Sequence, residues 1–416
     1  MTADDRPFLL LSDISSGGAA ISCRRLYRSL QAQKMGTVRW IAAAGSPGDG
    51  AVIASQWPPL LLYLVQRILP RLGASDAMQA RFARLLYQKS MQVCVRINRP
   101  RLINLHNLHA ASDFSLLSAL PKSIPLVWTL HDMWPLTGYC CYSYDCEKFA
   151  SGCVGDCPQA GKWGPIYRQP APEWNIRERF YSHNVSRLSF VAPSRWFAQC
   201  AQKRFGDRFR IEHIPYGLPL EIFKPLGESK RNLRRVLGLP ENAFIILCGA
   251  QYMGDERKGA KQLIAAVNSL RMHTRIPVVV VAFGEAGKGT AIKNWIFTGT
   301  IPEERFLNQY YNAADVFVLP SLADNLPNTL LEATSAGTPC VTFDTGGCAE
   351  VVRDGLTGYV AQYGDERQLS ECIERILVMS ESDRQAMSAV CREVAVREYD
   401  QDLQASRYRK LFDEVQ

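Results

Sequence analysis

Several things are missing from this 416-residue chain. No apolar run approaches the roughly 18–20 residues that span a bilayer, and the greasy stretch Trp57 to Val65 is too short, so no transmembrane helix is expected. The opening residues MTADDRPFLLLSD place acids where a secretory leader needs bases, and their apolar run is brief, which predicts a cytoplasmic protein. There is no zinc-finger, RRM or helix-turn-helix signature, so nucleic acid is not an expected partner. Gly284 to Gly289 imitates a P-loop but lacks its first glycine, since Ala282 holds that place, and Gly289 replaces the Ser/Thr after lysine. It reads as an ordinary strand-end loop. No internal repeat or low-complexity tract is present.

What is there is an unevenly charged, ordinary globular composition. Residues 1–218 carry a balance of +12 and residues 219–416 one of −4, giving the overall +8. The basic half suits an anionic lipid or an anionic acceptor. In 57–99 seven Lys/Arg side chains, from Arg67 to Arg99, interleave with leucines and aromatics against one acid, Asp76. That composition fits a helix lying on an anionic membrane surface, or a buried helix pair with a solvated basic face.

Thirteen cysteines fall into two groups. Eight are scattered among apolar neighbours and read as small core residues. Five crowd into 140–157, of which Cys140, Cys146, Cys153 and Cys157 form a candidate tetrahedral zinc set in a Gly-containing loop. Their spacing is not a pair of Cys-x2-Cys knuckles. Free thiols or a redox-labile pair are the other readings. Four cysteines would close the metal's coordination, so such a zinc would be structural.

The elements alternate. Phe8 to Leu11 is a strand, followed by the small-residue loop Ser15-Ser16-Gly17-Gly18 and a helix from Ile21 to Met35. A glycine pair there lets backbone approach a phosphate closely. Strands at 102–105 and 126–130 end in His106, His109 and His131, which puts imidazoles at the carboxyl ends of strands, where ligands of open α/β sheets sit. Phe244 to Gly249 opens a second series.

The most informative stretch is Asp315 to Gly358. A buried strand, Val316 to Leu319, leads through Ser321 to Asn325 into a helix with Asn328 as its expected N-cap and Gly337 past its end. Cys340 to Phe343 is the next strand, and Gly346-Gly347 opens the next helix. The helix start favours an anion such as phosphate. Glu332, one turn on, suits paired sugar hydroxyls better than phosphate. Asp324, eight residues earlier, can reach the other end of a nucleotide-sugar.

Asp324, Glu332, Ala333, Gly337, Pro339, Gly346, Gly347 and Glu350 resemble the donor signature of family 4 retaining glycosyltransferases, with aspartate in place of the first glutamate. His131-Asp132-x-Trp-Pro followed by the cysteine cluster is similar to the colanic-acid and exopolysaccharide type. The resemblance implies an α/β, GT-B fold of two Rossmann-like domains facing across a cleft. Residues 1–218 would bind acceptor and hold a Cys-rich insert at 138–160. Residues 219–390 would bind nucleotide-sugar, and 391–416 would cross back to the first domain.

It further implies catalytic roles for His131, Lys258, Asp324 and Glu332. Glu332 would hold the ribose and Lys258 the diphosphate, beside Arg257. Asp324 and the backbone of Asn325, Leu326, Pro327 and Asn328 would hold the donor sugar, which His131 would contact from the other domain. Gly17 and Gly18 would lie opposite the diphosphate. Transfer would need no cofactor, and partners would be a nucleotide-sugar and a saccharide or lipid-linked acceptor in exopolysaccharide or lipopolysaccharide biosynthesis at the inner face of the membrane. The alternatives are a GT-B epimerase and a non-catalytic nucleotide-sugar-binding subunit.

Overall fold

The computed structural model describes residues 6–44, 51–53, 71, 75–109, 114–159, 170–252, 254–285 and 292–416. The run Trp57 to Val65 and most of the P-loop look-alike lie outside them. The chain forms two compact units: Met1–Pro193 with Phe197–Ile214 and Gln404–Gln416, and Ser194–Trp196 with Pro215–Leu403. The boundary expected after 218 therefore falls after Ile214, and Ser194–Trp196 belongs with the second unit. Residues 391–403 stay with the second unit, and only the remainder of the last helix joins the first.

The first unit holds a seven-stranded parallel sheet built from β1 (Phe8–Ile14), β2 (Val38–Ala44), β3 (Val52–Ile53), β4 (Leu102–Leu105), β5 (Leu126–Thr129), β6 (Leu188–Ala192) and β7 (Arg210–His213). Their order is β3-β2-β1-β4-β5-β6-β7, so the direction of winding reverses between β1 and β4. The helix after β1 runs from Gly18 to Ala32, three residues earlier at each end than its apolar pattern indicated. Gly17, at φ +88°, makes the early start feasible.

That helix buries Cys23, Leu26 and Leu30 in a core with Phe8, Leu10 and Trp40. The last helix, Gln401–Glu414, adds Ala405, Tyr408, Leu411 and Phe412 to the same core. Phe412 stacks on Phe8 with ring centroids 5.3 Å apart. Truncating such a buried ring costs about 3–5 kcal/mol, so the end of the chain is part of the first unit's stability. A long helix, Asp76–Asn98, is capped by the Ser75 hydroxyl at its start and stopped by Arg99 at φ +43° before Pro100.

The second unit holds a six-stranded parallel sheet: β8 (Phe244–Tyr252), β9 (Val278–Glu285), β10 (Trp295–Gly299), β11 (Val316–Leu319), β12 (Cys340–Phe343) and β13 (Gly358–Ala361). The order β10-β9-β8-β11-β12-β13 reverses between β8 and β11. Both faces are covered, which is why the strands read as unbroken apolar runs. Phe317 and Leu319 pack with Tyr311 and Leu330 on one face; Val316 and Val318 pack with Leu263, Val267 and Ile373 on the other. Among the described residues no helix is long and apolar enough to cross a membrane.

Candidate active site

Loops leave the carboxyl ends of β8, β11 and β12 in the second unit, beside the reversal of strand order, where open α/β sheets bind ligands. Glycines let them meet. Gly346 has φ +53°, and a Cβ on it would lie 1.7 Å from the Asp324 carbonyl oxygen. Gly259, at φ +72°, would likewise meet the Pro320 carbonyl oxygen at 1.9 Å. Neither contact tolerates a side chain. Hydrogen bonds close the junction: Gly347 N–H donates to the Asn325 carbonyl at 2.7 Å, and Leu322 N–H to that of Arg257 at 2.7 Å.

Charge concentrates at this junction. Lys258 Nζ lies 2.5 Å from Asp324 Oδ2, and Arg257 is 3.5 Å from the same oxygen. The Ser321 hydroxyl donates to it at 3.2 Å. Asp324 is buried, which alone would raise its pKa, but Lys258 and Arg257 outweigh burial and hold the carboxyl below its ordinary range. Arg257 also donates to the Ala323 carbonyl at 2.8 Å and to Asp255 at 2.9 Å. It thereby braces the β8 loop against the β11 loop. The sequence-predicted Arg257, Lys258, Asp324 and Asn325 are thus brought together.

Glu332 lies on the helix Asn328–Ser335, and its carboxylate accepts the Tyr311 hydroxyl at 2.9 Å. It is buried, not a solvated helix residue. The cap expected at Asn328 is instead Pro327, with Asn328 the first helical residue. Proline suits this place because the cap's own N–H is not needed by the helix. Leu326 points into the core, so only its backbone is available to a ligand. Tyr311 and Ser321 escaped the sequence reading. Ser321 sits in the polar strand-end loop and could have been flagged; Tyr311 becomes visible only when its helix packs on Asn328–Ser335.

In the first unit Gly17 and Gly18 lie at the end of β1, with His106 after β4 and His131 after β5. The two imidazoles meet, His106 Nδ1 standing 2.9 Å from His131 Nε2. Burial pulls His131 down to about 3 and His106 well below its ordinary value, the latter helped by His131 itself. Both rings are neutral at physiological pH. His109 stands apart from this pair, with Nδ1 3.0 Å from Asn107 Oδ1 and 3.7 Å from Asp132. Asn104, buried within β4 and bonded to His106, is the residue the sequence reading missed here. A polar side chain inside the run Leu102-Ile103-Asn104-Leu105 was its signal.

The cysteine loop follows. Burial, then the nearby Cys157, Cys153 and Cys146 thiols, push the Cys140 thiol up to about 12. Among the described residues, the set whose ligand atoms all lie within 4.8 Å of one another is a different one: His109, Asp132 and Cys141.

Two family models match in tandem, "Glycosyltransferase Family 4" over residues 16–222 and "Glycosyl transferases group 1" over residues 243–378. The chain belongs to the family 4 glycosyltransferases. It is similar to the putative colanic acid biosynthesis glycosyl transferase WcaC of Escherichia coli, with 25% identity over 82% of this chain and 83% of that one. It is also similar to the Escherichia coli UDP-Gal:alpha-D-GlcNAc-diphosphoundecaprenol alpha-1,3-galactosyltransferase, with 26% identity over 51% of this chain and 56% of that one. Among solved structures, Anabaena HepE in complex with UDP-glucose matches with a TM-score of 0.69 at 14% identity, covering 98% of this chain and 100% of that one. The fold of this glycosyltransferase is GT-B, as the structural match shows, and its two parallel sheets agree with that.

Proposed function

We propose that this glycosyltransferase moves a sugar, with retention at the anomeric carbon, from a nucleoside diphosphate sugar to a saccharide or lipid-linked saccharide of a cell-surface polysaccharide. The observation that carries the reading is the paired Lys258 and Asp324 at the junction of the β8, β11 and β12 loops. A lysine ammonium has three donors. One on Asp324 leaves others for a donor phosphate, whose negative charge grows as the glycosidic bond breaks. Fixed positive groups at that point stabilise the transition state more than the ground state. The helix beginning at Asn328 adds its positive end. Asp324 and the backbone of residues 325–328 hold the donor sugar, and Glu332 takes the ribose hydroxyls.

No side chain is required as a covalent nucleophile. The leaving phosphate takes the acceptor's proton on the face where the new bond forms. The first unit supplies the acceptor site, and His131 takes part in transfer. Because Lys258 and the helix end carry the phosphate charge, the transfer step needs no divalent metal. The relatives' named activities, colanic acid synthesis and transfer to a diphosphoundecaprenol-linked sugar, support a polysaccharide acceptor. The UDP-glucose of the structural neighbour supports a uridine donor as the first to try.

The test is a thermal-shift and transfer screen over nucleotide-sugars, with undecaprenyl-diphosphate-linked acceptors, in the presence and absence of a chelator. Expected are stabilisation by one donor and an α-linked product from an α-linked donor, read by NMR. An inverted product would refute retention. Donor binding without turnover on any acceptor would favour a non-catalytic subunit, and conversion of donor without acceptor an epimerase.

A further inference from the structure

Cys140, Cys146, Cys153 and Cys157 line one small cavity together with Lys148 and Phe149. Its volume, about 20 Å³, is room for a single water- or ion-sized occupant. All four side chains are free thiols. The segment around them has little else to hold it. Between Thr137 and Gln159 the regular structure is one helical turn, Lys148–Ser151, and no strand pairs with it. A loop of that length without secondary structure is uncommon inside a compact domain and calls for another anchor.

We propose that the four cysteines bind one structural zinc ion. Zinc prefers four sulfur or nitrogen ligands in a closed tetrahedron, and four thiolates complete it with no position left for substrate. Such a set leaves two net negative charges on the site, and the surroundings offset them. Lys148 lines the cavity and donates to the Asp156 carbonyl, and the Arg204 guanidinium acts on Cys153. The Gly138 backbone N–H hydrogen-bonds the Cys153 sulfur, as outer-shell groups of metal sites do. Gly138 must be glycine for this: a Cβ would lie 2.8 Å from that of Cys153 and 2.7 Å from that of Pro170.

No three of the four sulfurs lie within 4.8 Å of one another, so the loop has to draw in around the ion, whereas the ligand atoms of His109, Asp132 and Cys141 already lie that close. That competing set offers three ligands of mixed kind instead of four thiolates, and its His109 Nδ1 is engaged by Asn107 at 3.0 Å. The zinc's role is to fix the loop behind His131 and Asp132. Met133 N–H donates to the Cys141 carbonyl at 2.8 Å, and Thr137 Oγ1 to that of Cys140 at 2.8 Å, so ordering the cysteines orders the strand end.

The full chain, purified without chelator, should hold about one zinc per molecule by elemental analysis. Cys146→Ser and Cys153→Ser should lose it, and Cys141→Ser should keep it. Because the serine variants can misfold, the wild type supplies a second readout. A mercurial thiol reagent should release the zinc stoichiometrically, and cobalt put in its place should show the charge-transfer band of four thiolates in tetrahedral geometry. Zinc retained in Cys153→Ser but lost in Cys141→Ser would assign the metal to the competing set. Wild-type chain that is stable without zinc and gives no thiolate band with cobalt would overturn the proposal outright.

Discussion

His131 Nε2 stands 2.9 Å from His106 Nδ1, and the surrounding network admits one placement of their protons. The Val127 carbonyl can only accept, so the Asn104 amide nitrogen faces it, at 2.9 Å. The Asn104 oxygen then faces His106 Nε2, also at 2.9 Å, so that nitrogen carries the hydrogen. With the His106 ring neutral, its Nδ1 accepts, and His131 donates from Nε2. Asn104 continues through Thr129 to the Tyr408 hydroxyl of the last helix. The strand-end histidine thus has its tautomer set from inside the sheet.

This pair gives stability a pH dependence of known sign. The unfolded chain protonates these histidines near 6.5, whereas His131 resists protonation until about 3. Between those values the unfolded state binds more protons, so stability rises with pH. Their contribution is complete above pH about 6.5 and drains as pH falls toward 3. The thermal midpoint should decline across that window, less steeply in His106→Gln. A midpoint flat over it, in wild type, would show that the rings are not buried and neutral.

The Lys258–Asp324 pair separates stability from function. Lys258→Met leaves a buried carboxylate with Arg257 as its remaining nearby base, and breaking one side of a buried pair typically costs about 3–5 kcal/mol. Adding Asp324→Asn removes the stranded charge, so the double variant should recover much of that loss. Transfer should stay depressed in both, because the phosphate has lost its lysine. Chemical denaturation and initial rates measure the two effects. A double variant whose loss equals the sum of the Lys258→Met and Asp324→Asn losses would mean the residues act independently.

Glu332 should govern donor affinity. Glu332→Ala removes charge-assisted hydrogen bonds worth roughly 1.5–3 kcal/mol each, hence about tenfold or more in affinity. Tyr311→Phe deletes only the hydroxyl that holds the carboxylate in place and should cost less. Calorimetric titration with nucleotide and with nucleotide-sugar is the measurement. Unchanged affinity in folded Glu332→Ala would remove this residue from the site.

The parallel sheets were legible because strands covered on both faces must be continuously apolar, as Val316 to Leu319 is. Lys258, Asp324 and Glu332 were singled out by their resemblance to the family's donor signature, and the structure brings Lys258 and Asp324 into contact. Partners contributed by packing were hidden. Nothing local ties Tyr311 to Glu332 or Tyr408 to Thr129, separated by 279 positions. The Pro327 cap was missed because asparagine is the better N-cap by side-chain chemistry, yet the chain needed that residue inside the first turn.

The helix Asp76–Asn98 tests the membrane reading. Met78, Phe82, Leu85 and Val93 are all more than two-fifths exposed and fall on one stripe at helical spacing, in which Lys89 also stands. Arg81 and Arg96 are exposed beside it, and from residue 77 to 99 the sequence has no acid. A helix carrying apolar and basic side chains on its outer face suits an anionic lipid surface better than water. The protein should therefore co-sediment with vesicles containing phosphatidylglycerol and release as salt rises, since each base contributes about 1 kcal/mol near such a surface and is screened within a Debye length. Arg81→Gln with Lys89→Gln should weaken partitioning some thirtyfold, from roughly 2 kcal/mol lost. Phe82→Ser should weaken it at every salt concentration, because it removes apolar contact and not charge. Equal sedimentation with neutral and anionic vesicles, or none with either, would return this helix to the role of a solvated support for β2.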